Sequence, residues 1–386
     1  MQWEARVGFE HSEAAAEMAR RGVHADPTRP GNWLILSRAL SHLGDFNGAT
    51  DCLREAVVAV PKSAELRLRL VEALIAQDSW EEALPHAEVA LALAPDDPRA
   101  PILLFNLLIM MRLSDRLDMK AVAALAARNV HLMGMHVRSL DLADRVQWCD
   151  SILAENPGHA YARYLKAIAF VALGRMEEAC ALISVTQLVE TVQLGTPEGY
   201  PDDETFRAEL AQEIRGNPTL RRGPESDTTR SGWQTQVLRQ PGAVAVEALL
   251  GRIQKAVDAY DSRLVASGDA FACGRPKRAR LHTWAVIYEG AGQQMPHMHP
   301  AGWITGVYYV SSPRAPGENA YRGSIVLGIG NPIKGGSAIP WGTREIEPVP
   351  GRLVIFPSHV PHATVPPGGV DGERICVVFD VVDAAA

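Results

Sequence analysis

The sequence predicts an α+β chain of two segregated domains, helical in front and β behind, and three observations carry that prediction. Proline and a set of apolar residues recur every 34 positions in the first half. Polar, Gly- and Pro-rich loops break this texture from about residue 195, and short β-like segments fill the stretch after residue 280.

The bulk numbers agree with two folded domains. At 386 residues the chain exceeds one ordinary core, and 47% hydrophobic against 22% charged residues is the balance of a soluble globular protein. A formal charge of -7 gives no broad basic field, so no nucleic-acid partner is expected. The five cysteines (Cys52, Cys149, Cys180, Cys273, Cys376) are scattered and contain no Cys-x-x-Cys pair, which fits a reduced, cytoplasmic setting. The N-terminal stretch carries acids and lacks a signal-peptide core. The longest apolar run, LLFNLLIMM at 103–111, is too short to span a bilayer, so it reads as a buried helix and no membrane partner is expected.

The repeat organises the first half. Pro27, Pro61 and Pro95 are 34 apart, and at the same offset Leu36 matches Leu70, Ala39 Ala73, Leu40 Leu74, Phe46 Trp80, Ala49 Ala83 and Ala56 Ala90. Each unit reads as two antiparallel helices with alanines at the close crossing, a large aromatic wedged between them, and a proline closing the second helix. From Pro157 the pattern returns with Ala169, Gly174, Met176 and Ala179 at matching offsets, whereas residues 100–145 match poorly. Over roughly residues 10–190 the chain resembles the tetratricopeptide repeat family, which implies either a scaffold or a concave face for peptides and proteins.

Next come GTPEGYPDDE and GNPTLRRGPESDTTRSG, read as a junction, and a helix with Val246, Leu249, Leu250, Ile253, Val257, Tyr260 and Leu264 on one face. LHTWAVIYE, WITGVYYV, GSIVLGI, GRLVIFP and RICVVFDVV then read as strands of a β-sandwich or jelly roll. The expected division is a repeat domain over 1–195, a linker over 196–235 and a β domain over 236–386.

Five of the twelve histidines lie between 282 and 362, and four form two clusters, His297-Met298-His299 and His359-Val360-Pro361-His362. Residues two apart in extended chain point to the same side, so His297 and His299 can face one cavity, with a histidine from a second strand completing one face of a metal ion. Three protein ligands on one octahedral face are what a non-haem Fe(II) oxygenase needs to keep the opposite positions open. A lone histidine is more often an ordinary hydrogen-bonding residue, but two clusters bounded by strands favour ligation. His359, across a proline from His362, is expected to point elsewhere, to a supporting position or the surface. Arg374 opens the last apolar strand, and its planar fork suits the distal carboxylate of a dicarboxylate such as 2-oxoglutarate; a surface ion pair is the ordinary alternative.

HMHPAGWITGVYYV, PVPGRLVIFPSHVPHATVPP and RICVVFDV, in that order, resemble bacterial 2-oxoglutarate and Fe(II) oxygenases that carry tetratricopeptide repeats, relatives of the prolyl hydroxylases. The resemblance covers roughly 235–383 and implies a double-stranded β-helix (jelly-roll) domain. It also implies Fe(II), with 2-oxoglutarate and O2 as cosubstrates and ascorbate as an accessory reductant. Carried over residue by residue, His297 is the first iron ligand, His362 the distal one and Arg374 the 2-oxoglutarate anchor. Tyr288 takes the place of a cosubstrate-binding tyrosine. Tyr309 lines the same pocket or packs in the core, and Trp303 walls the substrate pocket or packs in the core.

One departure matters. The wider superfamily has an acid where His299 stands. Three readings stay open: His299 is a neutral third ligand, it supports the site from outside the ligand set, or it replaces His297 with an acid such as Glu289 completing the set. The first is favoured, and it leaves the site one negative charge short. Cys376 also stands where the resemblance expects a serine that hydrogen-bonds the cosubstrate. The expected activity is hydroxylation of a C–H bond in a peptide or protein brought by the repeat domain. The alternatives are a cupin-like metalloenzyme without 2-oxoglutarate and a repeat-based interaction protein with an inactive barrel.

Overall fold

The computed structural model describes residues 2–116, 130–222, 229–314, 318, 320–329, 339–368 and 372–384. The chain divides into two compact units, Met1–His136 and Val137–Ala386.

The first unit is helical: α1 (Gln2–Ala25), α2 (Pro30–His42), α3 (Phe46–Ala59), α4 (Ala64–Ala76), α5 (Trp80–Leu93) and α6 (Arg99–Met110). Pro27, Pro61 and Pro95 each follow a helix end by two residues, where a missing N–H ends the ladder. Asp45 and Ser63 cap α3 and α4, accepting from the Gly48 and Leu66 amides at 2.8 and 3.3 Å. The 34-residue matches mark buried positions: Leu36, Ala39, Leu40, Ala49 and Ala56 in one repeat, and Leu70, Leu74, Ala83 and Ala90 in the next, lie at helix crossings. Phe46 departs from expectation. It is 63% exposed and lines a groove instead of wedging between helices. The apolar run at 103–111 falls largely within α6, with Phe105, Leu107 and Leu108 buried, and no described helix is long and apolar enough to cross a membrane.

α7 (Val130–Ser139) runs across the division. The second unit then adds α8 (Leu142–Glu155), α9 (Ala160–Ala172), α10 (Met176–Leu182), α11 (Asp203–Arg215) and α12 (Val244–Ser267). Its strands are β1 (Glu190–Gln193), β2 (Leu220–Arg222), β3 (Thr229–Thr235), β4 (Ala279–Gln294), β5 (Ile304–Ser311), β6 (Ile325–Leu327), β7 (Arg344–Ile346), β8 (Arg352–Pro357), β9 (His362–Thr364) and β10 (Glu373–Asp383). They form an antiparallel seven-stranded sheet, β1-β8-β5-β10-β4-β3-β2, and an antiparallel three-stranded sheet, β7-β6-β9.

Strand periodicity sorts the large sheet into two faces. On β10, Ile375, Val377, Phe379 and Val381 join Leu249, Leu250 and Ile253 of α12 in one apolar cluster. Cys376 and Val378 point the other way and pack with Ile325, Leu327 and Ile346 of the small sheet. This inter-sheet face positions the site.

The chain does not divide where the sequence suggested. The last repeat-like hairpin belongs to the sheet unit, because Tyr164, Ala167, Phe170 and Ala179 sit in the inter-sheet cluster. Gly158 and Gly274 meet so closely that a Cβ on Gly158 would lie 2.1 Å from the Gly274 carbonyl oxygen. Nor is 196–235 simply a linker, since it supplies α11, β2 and β3, the last two completing one edge of the sheet. The repeat pattern records helix–helix crossings and says nothing of what a hairpin's other side covers. Short polar strands at a sheet edge read as loop.

Candidate metal centre

The two histidine clusters meet as paired backbone. His297 and His362 form an antiparallel bridge, with N–H to O distances of 2.9 and 2.8 Å in the two directions, and the His299 amide donates to Ser358 O at 3.1 Å. The three rings therefore converge. Centroids lie 4.3 Å apart for His297–His362 and 5.1 Å for both pairs with His299, and one potential ligand atom from each residue falls within 4.8 Å of the others.

Hydrogen bonds orient every ring. His297 Nδ1 lies 2.7 Å from Met295 O, His362 Nδ1 lies 3.1 Å from Val360 O, and His299 Nδ1 lies 2.8 Å from Asp380 Oδ1. Carbonyl oxygens only accept, so Nδ1 of His297 and His362 carries the proton and Nε2 presents a lone pair. Nε2 of His297 and His299 are 3.2 Å apart. Neutral imidazoles with converging lone pairs and committed Nδ1–H groups are the donor set that a divalent transition metal takes. Burial, and then His299, hold His297 down at about 4. Burial, and then His297 and His299, keep His362 well below the usual range, so both are neutral at pH 7. Trp284 stacks on His299 with centroids 5.7 Å apart.

Arg374 lies on the same inter-sheet face. It is 2% exposed, and no carboxylate among the described residues pairs with it. Its guanidinium sits 4.3 Å from the ring centroid of Tyr288, its cross-strand partner. It donates to Gly323 O and, at 3.2 Å, to Thr364 Oγ1. Gly323 has φ +93, and a Cβ there would meet the guanidinium, so this seat requires glycine. Thr364 stands two residues after His362 on β9, on the same strand face and about 7 Å along. Arg374 is thus tied by a hydrogen bond to the strand that carries His362. Arg374 Nε and the hydroxyl of buried Tyr309 have no partner among the described residues, so two donors face inward unanswered. Their chemistry fits a carboxylate.

Residues 282–380 match the family model described as "Putative 2OG-Fe(II) oxygenase", and residues 44–104 match that of the tetratricopeptide repeat. The second unit carries a 2OG-Fe(II) oxygenase-like domain. Among solved structures, a Pseudomonas putida prolyl-4-hydroxylase is 21% identical (TM-score 0.36), covering 51% of this chain and 94% of its own. A Trichoplax adhaerens prolyl hydroxylase, solved with a hypoxia inducible factor peptide fragment, is 14% identical (TM-score 0.34; 56% and 94%). The tetratricopeptide repeat protein YrrB is 15% identical (TM-score 0.32; 44% and 90%). No curated protein matches the chain.

The oxygenase-like domain does not place every expected residue at the centre. Trp303 packs on the other face of the sheet, stacked on Phe271 with its indole N–H donating to Phe271 O at 3.1 Å, so it is core and not a pocket wall. His359 turns away from the centre, as expected, but into the interior: it is fully buried, 2.9 Å from Leu182 O through Nε2, and packs edge-on against Phe271. Cys376 Sγ donates to Val286 O at 3.8 Å, which occupies the thiol where a cosubstrate hydrogen bond was in question. The side chain of Glu289 lies outside the described residues. Sequence reasoning missed Thr364 and Asp380. Strand parity would have found both, since Thr364 follows His362 by two and Asp380 follows Arg374 by six.

Proposed function

We propose that this protein is a 2-oxoglutarate- and Fe(II)-dependent oxygenase that hydroxylates a C–H bond of a peptide or protein. The observation that carries the reading is the pairing of three converging imidazoles with a buried, carboxylate-free arginine tied to the same strand. In this reading His297, His299 and His362 hold Fe(II). Arg374 grips the distal carboxylate of 2-oxoglutarate by charge-assisted hydrogen bonds, and the Tyr309 hydroxyl donates to the same group. Tyr288 keeps the guanidinium flat against its ring. When bound, iron and 2-oxoglutarate supply the oxidation, coupling O2 and loss of CO2 from the cosubstrate to C–H hydroxylation and leaving succinate. The apolar inter-sheet wall of Val286, Val307, Phe356 and Val378 keeps bulk water from that chemistry.

A peptide or protein substrate is supported by the first unit. Its groove of about 960 Å³ exposes Ile35 and Phe46 beside Arg38, Glu65 and Arg69, a mixed apolar and charged lining of the kind that holds extended or helical peptides.

The test is anaerobic addition of Fe(II) and then 2-oxoglutarate, followed by visible absorption. A charge-transfer band from a keto acid chelated to Fe(II) is expected. Its absence in a protein that still binds Fe(II) would sink the 2-oxoglutarate assignment in favour of a cupin-like metalloenzyme.

A further inference from the structure

We propose that Asp380 is a positioning residue for the metal centre: its carboxylate fixes the His299 ring and lends the three-histidine set the negative charge that it lacks. This rests on the metal-binding reading above and adds to it. Asp380 Oδ1 accepts from His299 at 2.8 Å and from Thr305 Oγ1 at 2.7 Å, and Thr305 is held in turn by Ser358 Oγ at 2.8 Å. Thr305 and Ser358 are fully buried and Asp380 nearly so. The Ser358 carbonyl also accepts from the His299 backbone, so one residue anchors both ends of this chain of contacts.

Charge makes the arrangement informative. No Lys or Arg among the described residues pairs with Asp380, and its only ion-pair partner there is His299. A buried carboxylate with no Lys or Arg beside it is poorly compensated. A divalent cation on His299 Nε2 polarises the ring toward Asp380 and compensates it. In return, the carboxylate strengthens Nε2 as a donor and allows one tautomer only. The geometry also separates the histidines by role, because His297 and His362 rest on neutral carbonyls while His299 alone rests on an anion. The acid missing from the His-x-His motif is therefore present one hydrogen bond further out.

The experiment is titration of Co(II) into the chelator-stripped full chain, read by visible absorption, with the thermal midpoint of the metal-free protein recorded alongside. For D380N, which keeps the shape and loses the charge, an association constant about 10- to 100-fold weaker and a shifted Co(II) band are expected. For T305V, which leaves Asp380 but removes the hydroxyl that aims it, a smaller loss of the same sign is expected. Wild-type affinity and spectrum in D380N, with Co(II) binding abolished in H362A, would overturn the role of Asp380 and leave the metal centre standing. If D380N does not fold, T305V decides: unchanged affinity there overturns the proposal. A wild-type chain that takes up neither Co(II) nor Fe(II) brings down the metal reading and this one together.

Discussion

The two faces of the seven-stranded sheet are built from the same strands and do opposite things. The face toward α12 is almost wholly apolar: Ile375, Val377, Phe379 and Val381 on β10, Ile304 and Tyr308 on β5, and Leu353 and Ile355 on β8. The inter-sheet face interleaves the apolar residues with Arg374, Asp380 and Thr305, and the histidines gather against it. Alternation by one residue thus separates stability from chemistry. A substitution on one parity should be felt in unfolding, and on the other parity in binding.

The largest effect expected from this division is at His362. H362A removes the imidazole proposed to hold the metal from β9 and keeps the backbone bridge to His297, so Fe(II) or Co(II) binding and any turnover should fall to background while the fold persists. Retained metal binding, measured by titration, would break the comparison at its centre. On the opposite face, F379A should cost about 3–5 kcal/mol of stability in urea unfolding, because Phe379 is fully buried and fills the space above Gly306. Its metal affinity should be close to wild type. A large change in affinity with little loss of stability would show that the faces are not separable.

Arg374 tests the inter-sheet face at its other end. Losing charge-assisted hydrogen bonds to a ligand carboxylate costs about 1.5–3 kcal/mol, so R374Q should raise the 2-oxoglutarate concentration needed for half-saturation roughly 10- to 150-fold. Fe(II) affinity should not change. An unchanged requirement for 2-oxoglutarate would remove the anchoring role.

What the sequence made legible follows the same division. The repeat helices were readable because matched residues 34 apart report helix crossings, and the matched alanines and leucines named above are buried except Ala73, which is half-buried. The histidine clusters and Arg374 were readable because such residues are rare in apolar strands. Asp380 is inconspicuous inside RICVVFDVV, where a continuous apolar run masks the alternation; counting parity from Arg374 puts it on the inter-sheet side, and the register opposite Thr305 agrees. Trp303 sits beside the histidines in sequence yet across the sheet in space, since it is six residues past His297 on the next strand's approach. The hairpin at 160–182 kept its repeat pattern but gained a different partner, which no periodicity within the hairpin encodes.

The smallest and most discriminating effect concerns His359, three residues from His362 and turned to the interior, where its ring meets Phe271 and Leu182 O. Burial, and then the nearby Arg163, push it down to about 3. In the unfolded chain it titrates near 6.5. As pH falls below about 6.5 the unfolded state therefore gains a proton that the folded state refuses until about 3. The stability tied to this group is complete above about 6.5 and drains away toward about 3, at up to about 1.4 kcal/mol per pH unit. His297 and His362 shift in the same direction, so the wild-type slope in a chelating buffer contains all three. H359Q keeps an N–H donor for Leu182 O and removes one titration. Its urea unfolding free energy between pH 6.5 and 4.5 should fall less steeply by about one such increment, with Co(II) affinity at pH 7.5 unaltered. An identical slope would place His359 in a solvated site, and an altered affinity would place it within the metal centre's reach; either would erase the distinction between the two histidines of this turn.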